Sequence, residues 1–184
     1  MENTHLQTLP LQNLHERHFG ITQPLADGYL EAVSVCLDRY HASPQQFDLS
    51  DDGNATKVKI EWQAANVRTR AAWNNDDDAT RDGAYACAIA ATELSRKLVA
   101  IRRAETRTGA DYYVAPSGEP VEDLENVYRL EVSGTSAGDP SIVKSRVNAK
   151  VEQAKAGNSN LPAIAAVIGF RAKLIVIETV SDKP

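Results

Sequence analysis

The sequence has few of the residues that stabilise small secreted proteins or carry a chain across a membrane. Its two cysteines, Cys36 and Cys87, are far apart and form no CxxC motif, which argues against a disulfide framework or a zinc site. No apolar run approaches the roughly 20 residues of a membrane span, and the first 20 residues lack a secretory signal. We therefore expect a cytoplasmic protein that makes no membrane contact.

Positive charge is also scarce. The 184 residues include 20 lysines and arginines against 25 acids, which gives a net charge of -5 and a pI near 5.4. This balance argues against a protein that coats nucleic acid over its whole surface, although a local basic strip can contact phosphates. Residues 95–107, SRKLVAIRRAETR, are one such strip. The alternative interpretation is a solvated helix face balanced by nearby acids.

Hydrophobic periodicity divides the chain into two parts of one compact domain. This pattern predicts an N-terminal extension over residues 1–77. The extension has one helix, over 25–41, and one strand, in which Val58 and Ile60 alternate with polar residues. Residues 78–184 predict the core. It begins with a long helix over about 78–107, which is opened by the acids and asparagines of NNDDDAT.

The last third of the chain alternates between strands and a helix. ADYYVA and NVYRLEVS predict two strands, and a helix follows with Asp139 as its N-cap, Pro140 at its first position and Gly157 at its end. AIAAVIGF and KLIVIETV predict two buried strands. The expected fold class is α/β, or mixed α+β, with a central sheet and helices on both faces.

Three acidic residues are candidates for a metal site. Side chains alternate along a strand, so Glu131 and Ser133 share one face of theirs. Asp111 begins the preceding strand, and Glu105 continues an apolar stripe of the predicted helix. Three carboxylates that converge on one point offer the hard oxygen ligands that Mg²⁺ binds.

Each of these acids also has a simpler interpretation. The two strand acids can be solvated carboxylates at neighbouring strand ends. Glu105 can pair with Arg102 or Arg107 at the end of its helix. A third alternative is an unrelated α/β domain in which the acids have no common role.

The order of these elements resembles a known superfamily. A helix carrying Glu105, the strands GADYYV and RLEVSGT, and a helix rich in Lys and Gln are similar to the PD-(D/E)XK, or restriction-endonuclease-like, core. The resemblance covers roughly residues 78–180. It implies a metal-dependent nuclease, with Mg²⁺ or a substituting Mn²⁺ as cofactor. It assigns the first acid to Asp111, the second to Glu131 and an additional acid to Glu105.

One position departs from the family pattern. The family has a lysine two residues after the second acid, where this sequence has Ser133. A hydroxyl cannot supply the positive charge that stabilises a phosphate in the transition state. Some members take the lysine from the following helix, where Lys144 and Lys150 are candidates, and Gln153 can assist. We predict that Lys144 supplies the charge, because it lies in the first turns of the helix, which are nearest to the end of the Glu131 strand.

Two functional hypotheses follow from the resemblance. The first is a nuclease or nucleic-acid-binding domain that acts on DNA or RNA, for example in genome defence or a mobile element. The second is a non-catalytic interaction or regulatory protein on a degenerate nuclease-like fold, with a protein partner. The net negative charge and Ser133 favour the second hypothesis. The sequence indicates neither the nucleic-acid type nor the oligomeric state.

Overall fold

The structure is a computed structural model that describes residues 6–118 and 126–181. None of the helices in these ranges has both the length and the apolar character needed to cross a membrane. The elements, in chain order, are β1 (Gln7–Thr8), α1 (Leu14–Arg17), α2 (Gln23–Asp38), β2 (Gln45–Asp51), β3 (Asn54–Ile60), α3 (Val67–Ala72), α4 (Asp76–Arg96), β4 (Leu98–Arg103), β5 (Tyr112–Pro116), β6 (Tyr128–Thr135), α5 (Pro140–Ala156), β7 (Ala163–Gly169) and β8 (Leu174–Val180).

These strands form one mixed sheet, in the order β1-β3-β2-β8-β7-β6-β5-β4. Strands β4, β5 and β6 are antiparallel neighbours, β6 and β7 are parallel, and β7 and β8 are antiparallel. Parallel neighbours require a crossover connection, which α5 supplies between β6 and β7. The predicted class, a mixed α/β protein with a central sheet packed against helices, is confirmed.

Helices cover both faces of the sheet. The larger core lies under α2 and α4 and includes Leu130 and Ile168, whereas α5 packs over Val167 on the opposite face. Alanines of α4 allow its backbone to approach the sheet closely. At Gly134 of β6 an added Cβ would lie 2.6 Å from the Thr80 carbonyl oxygen. Helices therefore cover both faces of the sheet at β6.

Local sequence signals predicted β6 and α5 correctly. Strand β6 lies between β5 and β7, and Leu130 is fully buried. The Asp139 side chain accepts a hydrogen bond of 2.8 Å from the Ser141 backbone N–H, and α5 begins at Pro140 and ends before Gly157. A side-chain oxygen at the N-cap satisfies a helix N–H group that has no partner within the helix.

The predicted helix over 78–107 is wrong beyond Arg96. Helix α4 ends at Arg96, and Lys97 adopts a left-handed conformation at φ 59° that turns the chain into β4. Residues 98–101 are all buried. A short apolar run buried on both faces satisfies helical and strand patterns equally well, so periodicity could not place this boundary. As a result Glu105 follows a strand and is not part of a helix.

The N-terminal part contributes more of the sheet than the sequence indicated. Residues 45–51 form a strand that the sequence analysis did not predict, β2, which pairs with β3 in a hairpin. Its two-residue turn is Asp52-Gly53, with φ of 46° and 81°, as a type I′ turn requires. Strand β2 also pairs in parallel with β8. Residues 6–77 therefore build three of the strands in the same sheet.

A buried histidine lies against the outer edge of β4. The Ala100 N–H donates to His18 Nδ1 at 2.9 Å, and the Gly20 N–H donates to the Ala100 carbonyl at 3.0 Å. On its other side His18 Nε2 lies 3.0 Å from Glu93, which also pairs with Arg17. The segment before α2 thus takes up the hydrogen-bonding groups of Ala100.

Candidate functional site

A groove of about 640 Å³ opens at the ends of β4, β5 and β6. We call it the Asp111 groove. It is lined by residues 103–107 and 109–111, Glu131, Lys150, Gln153 and residues 156–158. Four of the five predicted site residues therefore line it, and Lys144 is the exception. The groove also carries polar and charged side chains that sequence reasoning had not selected.

The Asp111 carboxylate is held in place by two hydrogen bonds. The β5–β6 ladder stops at Tyr112, and Asp111 Oδ2 accepts a bond of 2.8 Å from the Val132 N–H on β6. Its Oδ1 accepts a second bond of 2.8 Å from the Tyr85 hydroxyl of α4. The backbone N–H of Asp111 also donates to the Leu130 carbonyl. Asp111 is therefore fixed opposite Glu131, at the point where the two strands separate.

Glu131 is the buried acid of the pair, only 2% exposed. Its Oε1 accepts a bond of 2.6 Å from Lys150 Nζ, which also donates to Gln153 Oε1 at 3.1 Å. Burial raises the pKa of Glu131, and the negative charge of Asp111 raises it further, while Lys150 acts in the opposite direction. The net pKa lies above the ordinary value, so Lys150 does not fully compensate this pair of carboxylates.

Lys150, and not Lys144, is the lysine at the paired acids, contrary to the prediction. Because β7 runs parallel to β6, α5 must carry the chain back toward the start of β6. From Glu131 the strand covers about 13 Å to its end at Thr135, and the first ten residues of α5 return about 15 Å. This return brings Lys150 level with Glu131. Lys144 instead lines a separate groove between α5 and β8.

Glu105 is not a third member of the acid pair. Its Oε2 accepts a bond of 2.7 Å from the Tyr113 hydroxyl, and its Oε1 pairs with Arg102 at 3.2 Å. The Tyr113 hydrogen bond is the main cause that holds the pKa of Glu105 below its ordinary value. Pairing with Arg102 was the alternative interpretation of this residue. In the ranges that the structure describes, no group of three or more His, Cys, Asp or Glu side chains could hold a metal ion.

Sequence reasoning missed Tyr85, and it considered Arg103 only as part of the basic strip over residues 95–107. Burial, followed by the charge of Asp111, raises the pKa of Tyr85 to about 12, so the hydroxyl keeps its proton and donates to Asp111. The same oxygen accepts a bond of 3.0 Å from Arg103 Nη2. A tyrosine in an otherwise alanine-rich helix face was the available signal, because a buried tyrosine hydroxyl usually has a hydrogen-bond partner.

The loop over residues 104–110 forms one wall of the groove and is docked on the end of α5. Arg129 Nη1 donates to the carbonyls of Thr108 and Ala154, at 2.6 and 2.9 Å. The Asn158 N–H donates to the Arg107 carbonyl at 3.0 Å. Gly157 lies so close to Thr108 that an added Cβ would collide with the Thr108 carbonyl oxygen. The loop and the helix that carries Lys150 are thereby held together.

Comparisons with known proteins provide no relative for this geometry. The chain matches no protein-family model, no curated protein and no solved structure. The likeness to the PD-(D/E)XK superfamily is therefore a resemblance carried by Asp111, Glu131 and the order of the elements around them.

Proposed function

We propose that this chain is a metal-dependent phosphodiester hydrolase that acts on nucleic acid, a divergent relative of the PD-(D/E)XK nucleases. The observation that carries the proposal is the position of Lys150, 2.6 Å from Glu131 in the groove that also contains Asp111. The resemblance requires two acids on neighbouring strands and a lysine beside the second acid. Lys150 meets the last requirement from α5, where Ser133 cannot.

The donor chemistry of the acid pair fits a divalent cation. Mg²⁺ is commonly bound by one or two carboxylates together with water and substrate phosphates. Asp111 and Glu131 would hold it, without Glu105. The raised pKa of Glu131 supports this assignment, because a cation at the pair would relieve the unfavourable burial and repulsion of its charge. When bound, such a metal lowers the pKa of a coordinated water and neutralises charge on the phosphate.

The chain's own residues supply orientation and positive charge. The Val132 N–H and the Tyr85 hydroxyl fix the Asp111 carboxylate, so its orientation does not depend on a bound ligand. The Lys150 ammonium carries charge to the position where a phosphate would lie against the acid pair. A positioned cation stabilises negative charge that develops on a phosphate far better than a hydroxyl does.

A second candidate function is a nucleic-acid-binding or regulatory protein without hydrolytic activity. The Glu131–Lys150 ion pair favours it, because the two charges satisfy each other directly and Asp111 already accepts two hydrogen bonds. In this alternative Asp111, Glu131 and Lys150 stabilise the fold. The two candidates differ in one respect that can be measured, the cleavage of a phosphodiester bond.

The test is a cleavage assay with purified protein on single- and double-stranded DNA and RNA. We expect wild-type protein to cleave at least one of them with Mg²⁺ or Mn²⁺ and none with EDTA. Asp111→Asn and Glu131→Gln should each reduce the rate by about 100-fold or more, in line with the loss of a group that stabilises the transition state. Glu152→Gln is the control, because Glu152 is exposed on α5 and pairs with Lys155, outside the acid pair.

Three outcomes separate the candidates. Metal-dependent cleavage that both variants lose supports the hydrolase. Binding of nucleic acid without cleavage, under any divalent ion, contradicts the hydrolase and supports the second candidate. Cleavage that survives in Asp111→Asn would show that the activity comes from another site or from a contaminant.

A further inference from the structure

Three tyrosines surround the guanidinium of Arg103, at the end of β4. Its Cζ lies 4.4 Å from the ring centre of Tyr85 and 4.7 Å from that of Tyr112. Its Nη2 donates to the Tyr85 hydroxyl at 3.0 Å, and its Nη1 lies 3.4 Å from the Tyr29 hydroxyl. Tyr29 and Tyr112 are themselves joined by a hydrogen bond between their hydroxyls. The three rings come from α2, α4 and β5, so three elements fix the cation.

The charge of Arg103 has no acidic counterpart in the described part of the chain. Ion pairs with carboxylates are formed by other arginines: Arg17, Arg39, Arg70, Arg81, Arg96 and Arg102. Among the described residues, the groups in direct contact with the Arg103 guanidinium are tyrosine hydroxyls and ring faces, which are neutral, and a guanidinium keeps its proton in proteins. The residue is nevertheless exposed and lines the Asp111 groove. A fixed and accessible cation of this kind is suited to bind an anion.

Its position relates the cation to the acid pair. The Tyr85 hydroxyl donates to Asp111 Oδ1 and accepts from Arg103 Nη2, so one oxygen lies between the carboxylate and the guanidinium. An anion on Arg103 would therefore lie beside the acid pair. The planar guanidinium offers several N–H donors, which suits the tetrahedral oxygens of a phosphate.

We propose that Arg103 binds a backbone phosphate of the nucleic acid, next to the phosphate that lies at Asp111 and Glu131. This inference rests on the proposed function and deepens it, because it assigns a second contact to the same groove. The tyrosines immobilise the side chain before the nucleic acid arrives, which reduces the conformational entropy lost on binding.

The test measures nucleic-acid affinity against salt concentration, with Ca²⁺ in place of Mg²⁺ and fluorescent DNA and RNA as probes. Arg103→Gln should weaken binding by roughly tenfold or more. It should also reduce the slope of log K against log salt by about 0.9, the value for one lost phosphate contact on duplex DNA. Arg103→Lys should keep the slope. Arg146→Gln is the control, because Arg146 is also exposed but lies on α5 outside the groove.

A second measurement uses wild-type protein only, so it does not depend on the folding of a variant. Phenylglyoxal modifies accessible arginines, and mass spectrometry reports the modification of each one. Bound nucleic acid should protect Arg103 and leave Arg146, which is exposed on α5 outside the groove, as reactive as before.

The outcomes separate this inference from the proposed function. If Arg103→Gln weakens binding without changing the salt slope, or if Arg103 stays reactive in the complex, Arg103 has a structural role and the inference is overturned. Cleavage by wild-type protein under those results would leave the proposed function intact. If wild-type protein neither binds nor cleaves any probe, both fail together.

Discussion

The ammonium nitrogen of Lys150 lies 2.6 Å from Oε1 of Glu131, across a sequence separation of 19 residues. The contact exists because α5 returns along the sheet toward the start of β6. It supplies from a helix the charge that the strand lacks at Ser133. The relationship predicts which of the two candidate lysines, Lys144 or Lys150, matters for the proposed activity.

If the chain is the proposed hydrolase, Lys150→Met should reduce cleavage by about 100-fold or more, because it removes the cation beside the acid pair. Lys144→Met is the matched control on the same helix, and we expect its activity to be close to that of wild type. Single-turnover rates at saturating metal report the chemical step. If Lys144→Met is the more damaging change, Lys144 and not Lys150 supplies the positive charge that activity requires.

Ser133→Lys in the Lys150→Met background tests whether the position of the charge is interchangeable. Ser133 lies two residues after Glu131 and so on the same face of β6. We expect the double variant to recover at least tenfold of the lost rate, since a cation again lies near the acid pair. A double variant that folds like wild type and recovers nothing would show that the strand position cannot replace the helix position.

The pKa of Glu131 predicts a pH dependence of stability. Burial and Asp111 raise this pKa above the ordinary 4.5, so the native state binds the proton more tightly than the unfolded state does. The free energy of unfolding should therefore fall as pH rises from about 4.5 through the raised pKa. Glu131→Gln removes this component, so the stability of the variant relative to wild type should increase with pH over that window.

Urea denaturation at a series of pH values between about 4 and 7 measures this effect. Glu152→Gln, on the exposed face of α5, should follow the wild-type curve at a constant offset. A difference between wild type and Glu131→Gln that does not change with pH would mean that Glu131 titrates normally in the folded protein.

Gly157→Ala should destabilise the protein by about 1–3 kcal/mol, because the new Cβ meets the Thr108 carbonyl and must displace the groove wall or the end of α5. Gly28→Ala is the contrasting change. Its Cβ would meet only the Trp73 ring, at 3.9 Å, and alanine in a helix should add about 0.5–1 kcal/mol. Thermal or urea unfolding distinguishes the two variants. If Gly157→Ala were as stable as Gly28→Ala, the loop at Thr108 would accommodate the new Cβ without a loss of stability.

The elements that the sequence predicted well are those with local signals. Helix α5 has an acidic N-cap at Asp139, a proline at its start and Gly157 at its end, and each acts on the few residues next to it. Strand β6 alternates apolar and polar side chains, and Leu130 lies in the core under α4 whereas Glu131 faces Lys150 of α5 and the Asp111 groove. That alternation alone predicts on which face of the strand the Glu131 side chain lies.

The features that it missed depend on distant parts of the chain. The boundary between α4 and β4 lies at Lys97, just before an apolar run that fits a helix or a strand, and the pairing of this run with β5 makes it a strand. Lys150 could be preferred to Lys144 only once the parallel pairing of β6 and β7 was known. The contacts of Arg103 with Tyr29 and Tyr85 join α2, α4 and β4, and no local pattern indicates them.

The contact between His18 and Ala100 affects whether the protein self-associates once its N-terminal segment is deleted. An outer strand with free N–H and C=O groups can pair with the same strand of another molecule, which leads to edge-to-edge aggregation. The His18–Gly20 segment occupies these groups at Ala100. Deletion of residues 1–20 should therefore promote self-association through β4, even though the Asp111 groove contains none of the deleted residues.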